Sequence, residues 1–240
     1  MKILIVNPNS SEVCTEVIRK SALRKITDPD AQLYFLTNPK GTKNIDCSFA
    51  DYQSVWSVQR AVLEKCEEWK PDAVVLAGFG NVGVYALKEA LDIPVLSISE
   101  TTQYIACLLG HKYTVIANIA QFVPYQEDLV HLYRLDQKCA SVRSVEMSVE
   151  RACCERTETL QQLKRQIEEI VKEDGAEVVI LGCAGLCGYD KELQALVGIP
   201  VLDPVTVTVK MAEMFVATGL KQSKLRKFAF PPQELAEYQR

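Results

Sequence analysis

Short runs of consecutive apolar residues alternate along the chain with longer stretches in which apolar residues recur every three or four positions. Short runs rich in Val, Ile and Leu are typical of strands buried on both faces, and the longer spacing is typical of amphipathic helices. The pattern predicts strands at residues 2–7, 32–37, 73–77, 94–97, 113–117, 141–146, 177–182 and 200–203. It predicts helices at residues 11–25, 50–68, 83–90, 101–109, 122–135, 158–173, 186–196 and 205–217. This alternation indicates an α/β fold with mainly parallel sheets flanked by helices.

The two halves of the chain repeat one structural unit. Residues 71–80 read PDAVVLAGFG, and a predicted helix then leads to IPVL at residues 93–96. Residues 176–185 read AEVVILGCAG, and a helix again leads to IPVL, at residues 199–202. Because ligands of open α/β sheets lie at the carboxyl ends of strands, the repeat predicts two pseudo-symmetric lobes with a site between the two small-residue turns.

No flexible linker marks the boundary between the predicted lobes. We expect an N-terminal α/β lobe over residues 1–117 and a second α/β lobe over residues 118–204. Residues 205–240 are expected to form a helix and tail that return to the first lobe. The charged tail contains FAFPP at residues 228–232, which predicts a surface segment packed by its aromatic side chains.

Composition narrows the classes of function. The 240 residues are 48% hydrophobic with a net charge of −4, and no run rich in Lys and Arg points to nucleic acid. No apolar stretch reaches the roughly 18 residues of a membrane span, and the N-terminal apolar run is too short for a signal peptide. Nine irregularly spaced cysteines without a CxxC pair, together with only two histidines, predict reduced thiols and no metal site. We expect a cytoplasmic protein with a small-molecule substrate. The sequence leaves open whether the protein forms a homo-oligomer.

Three motifs then suggest a family. Asn7-Pro8-Asn9-Ser10-Ser11 resembles the N-P-N-[ST] opening of hydantoin and allantoin racemases. The sequence LGCAG at residues 181–185 resembles their second-half cysteine motif, and DPV at residues 203–205 resembles the segment after their last core strand. On these motifs the chain is identified as a member of the aspartate/glutamate/hydantoin racemase superfamily. The resemblance implies two lobes, no cofactor, and two cysteines that face each other across the substrate carbon.

The sequence departs from the family pattern at the first of these cysteines. The family carries it in a C-F-G-D-P-G-like turn, whereas residues 78–83 here read GFGNVG, with Gly78 in place of the thiol. The resemblance implies proton transfer at a carbon alpha to a carbonyl, on a hydantoin-like or acidic amino-acid-like substrate. With one thiol missing, a one-sided lyase reaction such as decarboxylation stays an alternative, because arylmalonate decarboxylases resemble this arrangement. For racemization, Tyr85 or a bound water is suggested as the second group.

Cys183 is the predicted catalytic acid/base group. It precedes a helix predicted to begin near Leu186, and the start of a helix favours a thiolate. Backbone N–H groups in the two turns are expected to stabilise an enolate oxygen. The predicted substrate-binding residues are Asn7, Asn9, Ser10, Ser11, Gly78, Phe79, Gly80, Asn118, Ala184 and Gly185.

Structural roles and other functions compete with these assignments. Ser10 or Ser11 equally suits a helix N-cap, Cys187 is expected in the core, and neither Cys153 nor Cys154 is assigned to catalysis. GFGNVG also fits the dinucleotide-binding pattern G-x-G-x-x-G, with Glu100 in the place of the ribose ligand. An NAD-dependent oxidoreductase is therefore an alternative, and a non-catalytic binding protein is another.

Overall fold

The computed structural model describes residues 1–24, 26, 28–148, 151–152 and 155–232. Cys153 and Cys154, for which the sequence predicts no catalytic role, lie outside the described residues. Within the described ranges, no helix is long and apolar enough to cross a membrane.

Eight strands form two parallel four-stranded sheets. The first sheet has the order β2-β1-β3-β4 and the second has the order β6-β5-β7-β8. The strands are β1 (Lys2–Asn7), β2 (Gln32–Thr37), β3 (Ala73–Leu76), β4 (Val95–Ser97), β5 (Tyr113–Ala117), β6 (Cys139–Ser144), β7 (Val178–Leu181) and β8 (Val201–Leu202). The predicted α/β class with two similar lobes is confirmed, since the second sheet repeats the strand order of the first.

Helices connect the strands and cover the sheets. In the described part of the chain they are α1 (Glu12–Leu23), α2 (Ser48–Trp69), α3 (Val84–Ala90), α4 (Ile98–Leu109), α5 (Val123–Leu132), α6 (Arg156–Asp174), α7 (Asp190–Val197) and α8 (Pro204–Thr218). Every residue of β3, β5 and β7 is buried, as expected for central strands packed against helices on both faces. These strands are nearly continuous apolar runs, without alternating polar residues, because both of their faces are buried.

The division between the sheets falls earlier than the predicted lobe boundary. Strand β5 ends at residue 117, the last residue expected in the first lobe, yet it pairs with β6 and β7 of the second sheet. The strand pairing thus divides the chain between β4 and β5, in the segment that forms α4.

The helix α8 returns to the first half of the molecule, where it packs against α4, α1 and β3. Asp203 caps this helix by accepting a hydrogen bond from the Thr206 amide, and Pro204 occupies the first helical turn. The tail beyond α8 packs through Phe228, whose ring lies 5.8 Å from that of Tyr85.

Candidate active site

A cleft of about 150 Å3 lies between the carboxyl ends of the two sheets. The first half lines it with residues 7–9, 44–46 and 77–80, and the second half lines it with residues 118–119, 148 and 182–184. In each sheet the strand order reverses between the first and third strands, β1 and β3 or β5 and β7. Crevices at such reversal points are the usual ligand sites of open α/β sheets, which explains why these loops meet.

Hydrogen bonds from Asn7 hold the loop after β1. Asn7 is 1% exposed, and its Nδ2 atom donates to Asn9 Oδ1 at 2.8 Å and to Thr15 Oγ1 at 3.0 Å. Asn9 Oδ1 also accepts from the Ser11 amide at 2.9 Å. Asn7 and Asn9 both line the cleft, and the Asn7 side chain fixes the shape of this wall.

Gly78 allows a close approach between two loops of the first lobe. A Cβ atom built on Gly78 would lie 2.5 Å from Cγ of Pro8. Real Cβ atoms do not approach carbon this closely, so any side chain at residue 78 requires the Pro8 ring to move. The proline ring thus packs directly against the turn at which the family pattern carries its first thiol.

Cys183 lines the cleft at the carboxyl end of β7 and is partly exposed. The helix predicted to start near Leu186 begins instead at Asp190, and residues 184–186 form a single 3-10 turn. The chain is extended at Cys187 and takes a φ of +94° at Gly188, which ends the turn. The prediction that an α-helix starting directly after Cys183 stabilises its thiolate is therefore wrong.

Cys187, expected in the core, is 5% exposed, and burial raises the pKa of its thiol well above the usual value. This thiol is therefore held in the neutral form and suits a structural role.

The walls of the cleft are rich in amide groups and poor in cations. Among the described residues that line it, none is Lys or Arg, whereas Asn9, Asn44 and Asn118 carry side-chain amides. Asp46 is the carboxylate in this set. Such a lining offers hydrogen bonds to a neutral polar compound and no counter-charge to a dianion.

The structure brings most of the predicted site residues to the cleft. Asn7, Asn9, Gly78, Phe79, Gly80, Asn118, Cys183 and Ala184 line it. Ser10, Ser11 and Gly185 do not. Ser11 caps α1 by accepting from the Cys14 amide, and the Ser10 amide donates to the Thr42 carbonyl at 3.0 Å.

Gly185 instead borders a neighbouring cavity beside Arg24. The suggested second group Tyr85 packs at a tilt against Phe228 and is absent from the cleft lining of the described residues.

Several lining residues escaped the prediction. Cys14 lies in the first turn of α1, and Asn44, Ile45 and Asp46 belong to the loop after β2. Their positions at the end of a strand or the start of the next helix are the one pattern that could have indicated them.

The dinucleotide alternative finds no support in the geometry. Glu100 forms an ion pair with Lys88, which is 6% exposed, and neither residue lines the cleft. Gly83, the third glycine of the pattern, has a φ of +69° and precedes a helix of seven residues. In addition, pockets for drug-sized ligands measure about 300–1,000 Å3, well above the volume of this cleft.

Two symmetric α/β sheets with a thiol-containing cleft at their carboxyl ends define a class of two-lobed α/β enzyme, and comparisons with known proteins specify it. Residues 3–212 match the model of the Asp/Glu/Hydantoin racemase family. The chain is 32% identical over 238 residues to a hydantoin racemase from Pseudomonas sp. (strain NS671), covering 99% of this chain and 94% of that protein. The chain belongs to the Asp/Glu/Hydantoin racemase family and is an enzyme of the racemase class.

Solved structures agree with this assignment. An allantoin racemase from Pseudomonas fluorescens superposes with a TM-score of 0.91 at 36% identity, over 97% of each chain. An arylmalonate decarboxylase superposes with a TM-score of 0.64 at 18% identity, over 95% of this chain and 97% of that one. The second likeness concerns the fold alone.

Proposed function

We propose that the enzyme transfers a proton at a carbon next to a carbonyl of a hydantoin-like substrate, with Cys183 as the acid/base group. The observation that carries this proposal is the position of Cys183, which follows the carboxyl end of β7 and lines the cleft between the two lobes. Because a thiol titrates within reach of neutral pH, it can both remove a proton from carbon and return one.

The two turns supply the rest of the chemistry. Removal of the proton leaves negative charge on the carbonyl oxygen, and backbone N–H groups stabilise such an oxyanion when they are already in place. We assign this role to the amides of Gly80 and Ala184, whose residues line the cleft from opposite lobes. This proton transfer involves only the thiol and the amides, so the proposed reaction needs no cofactor.

The lining of the cleft supports a neutral, amide-rich substrate. A cavity of about 150 Å3 accommodates a molecule the size of benzene, and a five-membered ring with a short substituent has a similar volume. Asn9 and Asn118 can pair with ring N–H and C=O groups, whereas Asp46 would repel a second carboxylate. Among the substrates considered from the sequence, we therefore propose a hydantoin-like compound over an acidic amino acid. The hydantoin and allantoin racemases among its relatives support the same choice.

Gly78 favours a second candidate, a one-sided lyase reaction of the same cleft. Racemization needs a second proton-transfer group on the face opposite Cys183, and Gly78 has no side chain to supply one. In the described lining, the other titratable side chains are Cys14 and Asp46. Asp46 belongs to the first half of the molecule, as Gly78 does, and we propose it as the second group if the enzyme racemizes.

Turnover of enantiopure substrates tests these proposals. Loss of optical rotation is followed for a 5-alkylhydantoin and for allantoin, and carbon dioxide release is followed for an arylmalonate. We expect rotation to decay faster than in a blank without enzyme, and Cys183→Ala to slow it by about 10²–10⁴-fold. Cys107→Ala is the matched control, because that thiol is also partly buried but donates to the Gln103 carbonyl on α4, away from the cleft. Full activity in Cys183→Ala would exclude the assigned role.

A further inference from the structure

The first turn of α5 makes hydrogen bonds to both glycine turns of the cleft. The Tyr125 hydroxyl donates to the carbonyl of Gly80 at 2.6 Å. The next residue, Gln126, donates through Nε2 to the carbonyl of Gly182 at 3.0 Å. Successive side chains of a helix project about 100° apart, so two neighbouring residues can reach turns that belong to different lobes.

Both donors act from behind the cleft wall. Neither Tyr125 nor Gln126 lines the cavity, whereas the Gly80 and Gly182 residues that they bind do so. Tyr125 also stacks on Phe122, with ring centroids 4.8 Å apart, and Phe122 is itself a lining residue. The start of α5 thus contacts the wall of the cleft at three places.

Polar atoms around this region are buried at a cost to stability. Gln126 is 1% exposed, and its Oε1 atom has no hydrogen-bond partner among the described residues. Asp51 is 5% exposed and lies beside the Tyr125 hydroxyl, and its Oδ1 atom is 3.5 Å from the Cβ position of Gly80. An apolar side chain of the same shape would avoid the penalty of an unpaired buried oxygen. Such groups persist where function requires them, which points to a role for the Gln126 amide.

We propose that Tyr125 and Gln126 are positioning residues of the reaction, which together fix the separation of the Gly80 and Gly182 turns. The substrate carbon lies between these turns, so their separation sets the distance from the carbon to Cys183 and to the oxyanion donors. This inference rests on the proposed function. A misplacement of about 1 Å in such a site can cost about a hundredfold in rate.

The surroundings of Tyr125 keep its hydroxyl protonated, so that it can donate a hydrogen bond. Burial raises the pKa of its hydroxyl, and the neighbouring Asp51 carboxylate raises it further. Tyr52 and Asp128 act on the same hydroxyl in the same direction. The hydroxyl therefore keeps the proton that it donates over the working pH range. Removing it should lower the rate equally across the pH profile without moving the profile, unlike the loss of an acid or base.

The variants Tyr125→Phe and Gln126→Met each remove one donor and retain most of the side-chain volume. We expect each to lower kcat by about 10–100-fold with a smaller change in KM, because the lining residues that bind substrate are untouched. Tyr133→Phe is the matched control, since this buried hydroxyl lies 3.5 Å from Ser99 Oγ and outside the cleft lining. Wild-type kcat in both variants, or a displaced pH profile in Tyr125→Phe, would overturn the proposal.

Backbone amide exchange provides a readout that does not depend on the substrate. Tyr125→Phe should accelerate exchange in the turn at residues 78–82 and leave residues 182–186 unchanged, and Gln126→Met should do the reverse. If the wild-type enzyme turns over no hydantoin, the proposed function fails, and the exchange data still decide. Acceleration confined to the matching turn supports the positioning role, whereas unchanged exchange or an equal rise along the chain contradicts it.

Discussion

The packing of Pro8 against Gly78 gives a prediction that links stability to the missing thiol. Gly78→Ala adds a Cβ atom 2.5 Å from Cγ and 3.3 Å from Cδ of the proline. Carbon atoms in contact are normally about 3.5–4.0 Å apart, so the overlap with Cγ is about 1 Å. Overpacking of this kind costs about 1–3 kcal/mol of unfolding free energy. For a chain of this length, that corresponds to a fall in Tm of roughly 2–12 °C.

A double-mutant cycle isolates this contact. Pro8→Ala deletes the two ring carbons in question, and the cycle consists of the wild type, each single variant and the double variant, measured by thermal unfolding. We expect the double variant to be more stable than the sum of the single changes by about 1–3 kcal/mol. The change in unfolded-chain entropy caused by losing the proline cancels in the cycle. An unchanged Tm in Gly78→Ala, or strictly additive effects, would refute the packing argument.

The same pair tests the reaction. Gly78→Cys alone should be destabilised like Gly78→Ala, and Pro8→Ala should relieve it. If the thiol then faces Cys183, the double variant should racemize a 5-alkylhydantoin faster than Pro8→Ala alone. A restored Tm without any gain in the rate of inversion would show that residue 78 does not face the substrate carbon.

Two further predictions concern buried carboxylates. Burial raises the pKa of Asp51, and the Tyr125 hydroxyl partly offsets this. An acid with a raised pKa in the folded state stabilises the fold below its unfolded pKa, and that contribution is lost as the pH rises through the folded value. As the pH rises above the ordinary carboxyl value of about 3.9, Asp51→Asn should therefore gain stability relative to the wild type, as measured by urea unfolding at a series of pH values, and a constant difference would contradict this. Asp203 is 2% exposed and accepts hydrogen bonds from Arg24, the Gly188 amide and the Thr206 amide. Asp203→Ala should therefore lower the free energy of unfolding, measured by calorimetry, by about 3 kcal/mol, and Asp203→Asn should lower it clearly less. Equal losses in the two Asp203 variants would argue against the capping role.

The strands could be predicted from the sequence because a strand buried on both faces consists of consecutive apolar residues. The strands β1, β2 and β5 begin and end at the predicted residues, and the repeated turns with Gly78 and Cys183 line one cleft. The pattern predicts the start of the helix after Cys183 too early, because the apolar residues Leu186 and Cys187 continue the helical spacing. The break is caused by the left-handed backbone of Gly188, which no periodicity reveals.

Other features of the site depend on tertiary contacts and could not be predicted. Asp46 reaches the cleft from a loop, and its place among the lining residues depends on how that loop folds over the first sheet. Likewise, the bonds from Tyr125 and Gln126 join residues 45 and 56 positions apart along the chain. Neither contact follows from local pattern, because the first joins the two lobes and the second depends on how α5 packs within the second lobe.

The central claim is that the Cys183 thiol exchanges a proton with the substrate carbon. The most direct measurement is the loss of the C5–H resonance of a 5-alkylhydantoin in deuterated buffer, followed by proton NMR with a blank for spontaneous exchange. The account predicts rapid loss of the resonance with the wild type and with Cys107→Ala, and loss at the blank rate with Cys183→Ala. Equal exchange by Cys183→Ala and the wild type would show that a different group moves the proton.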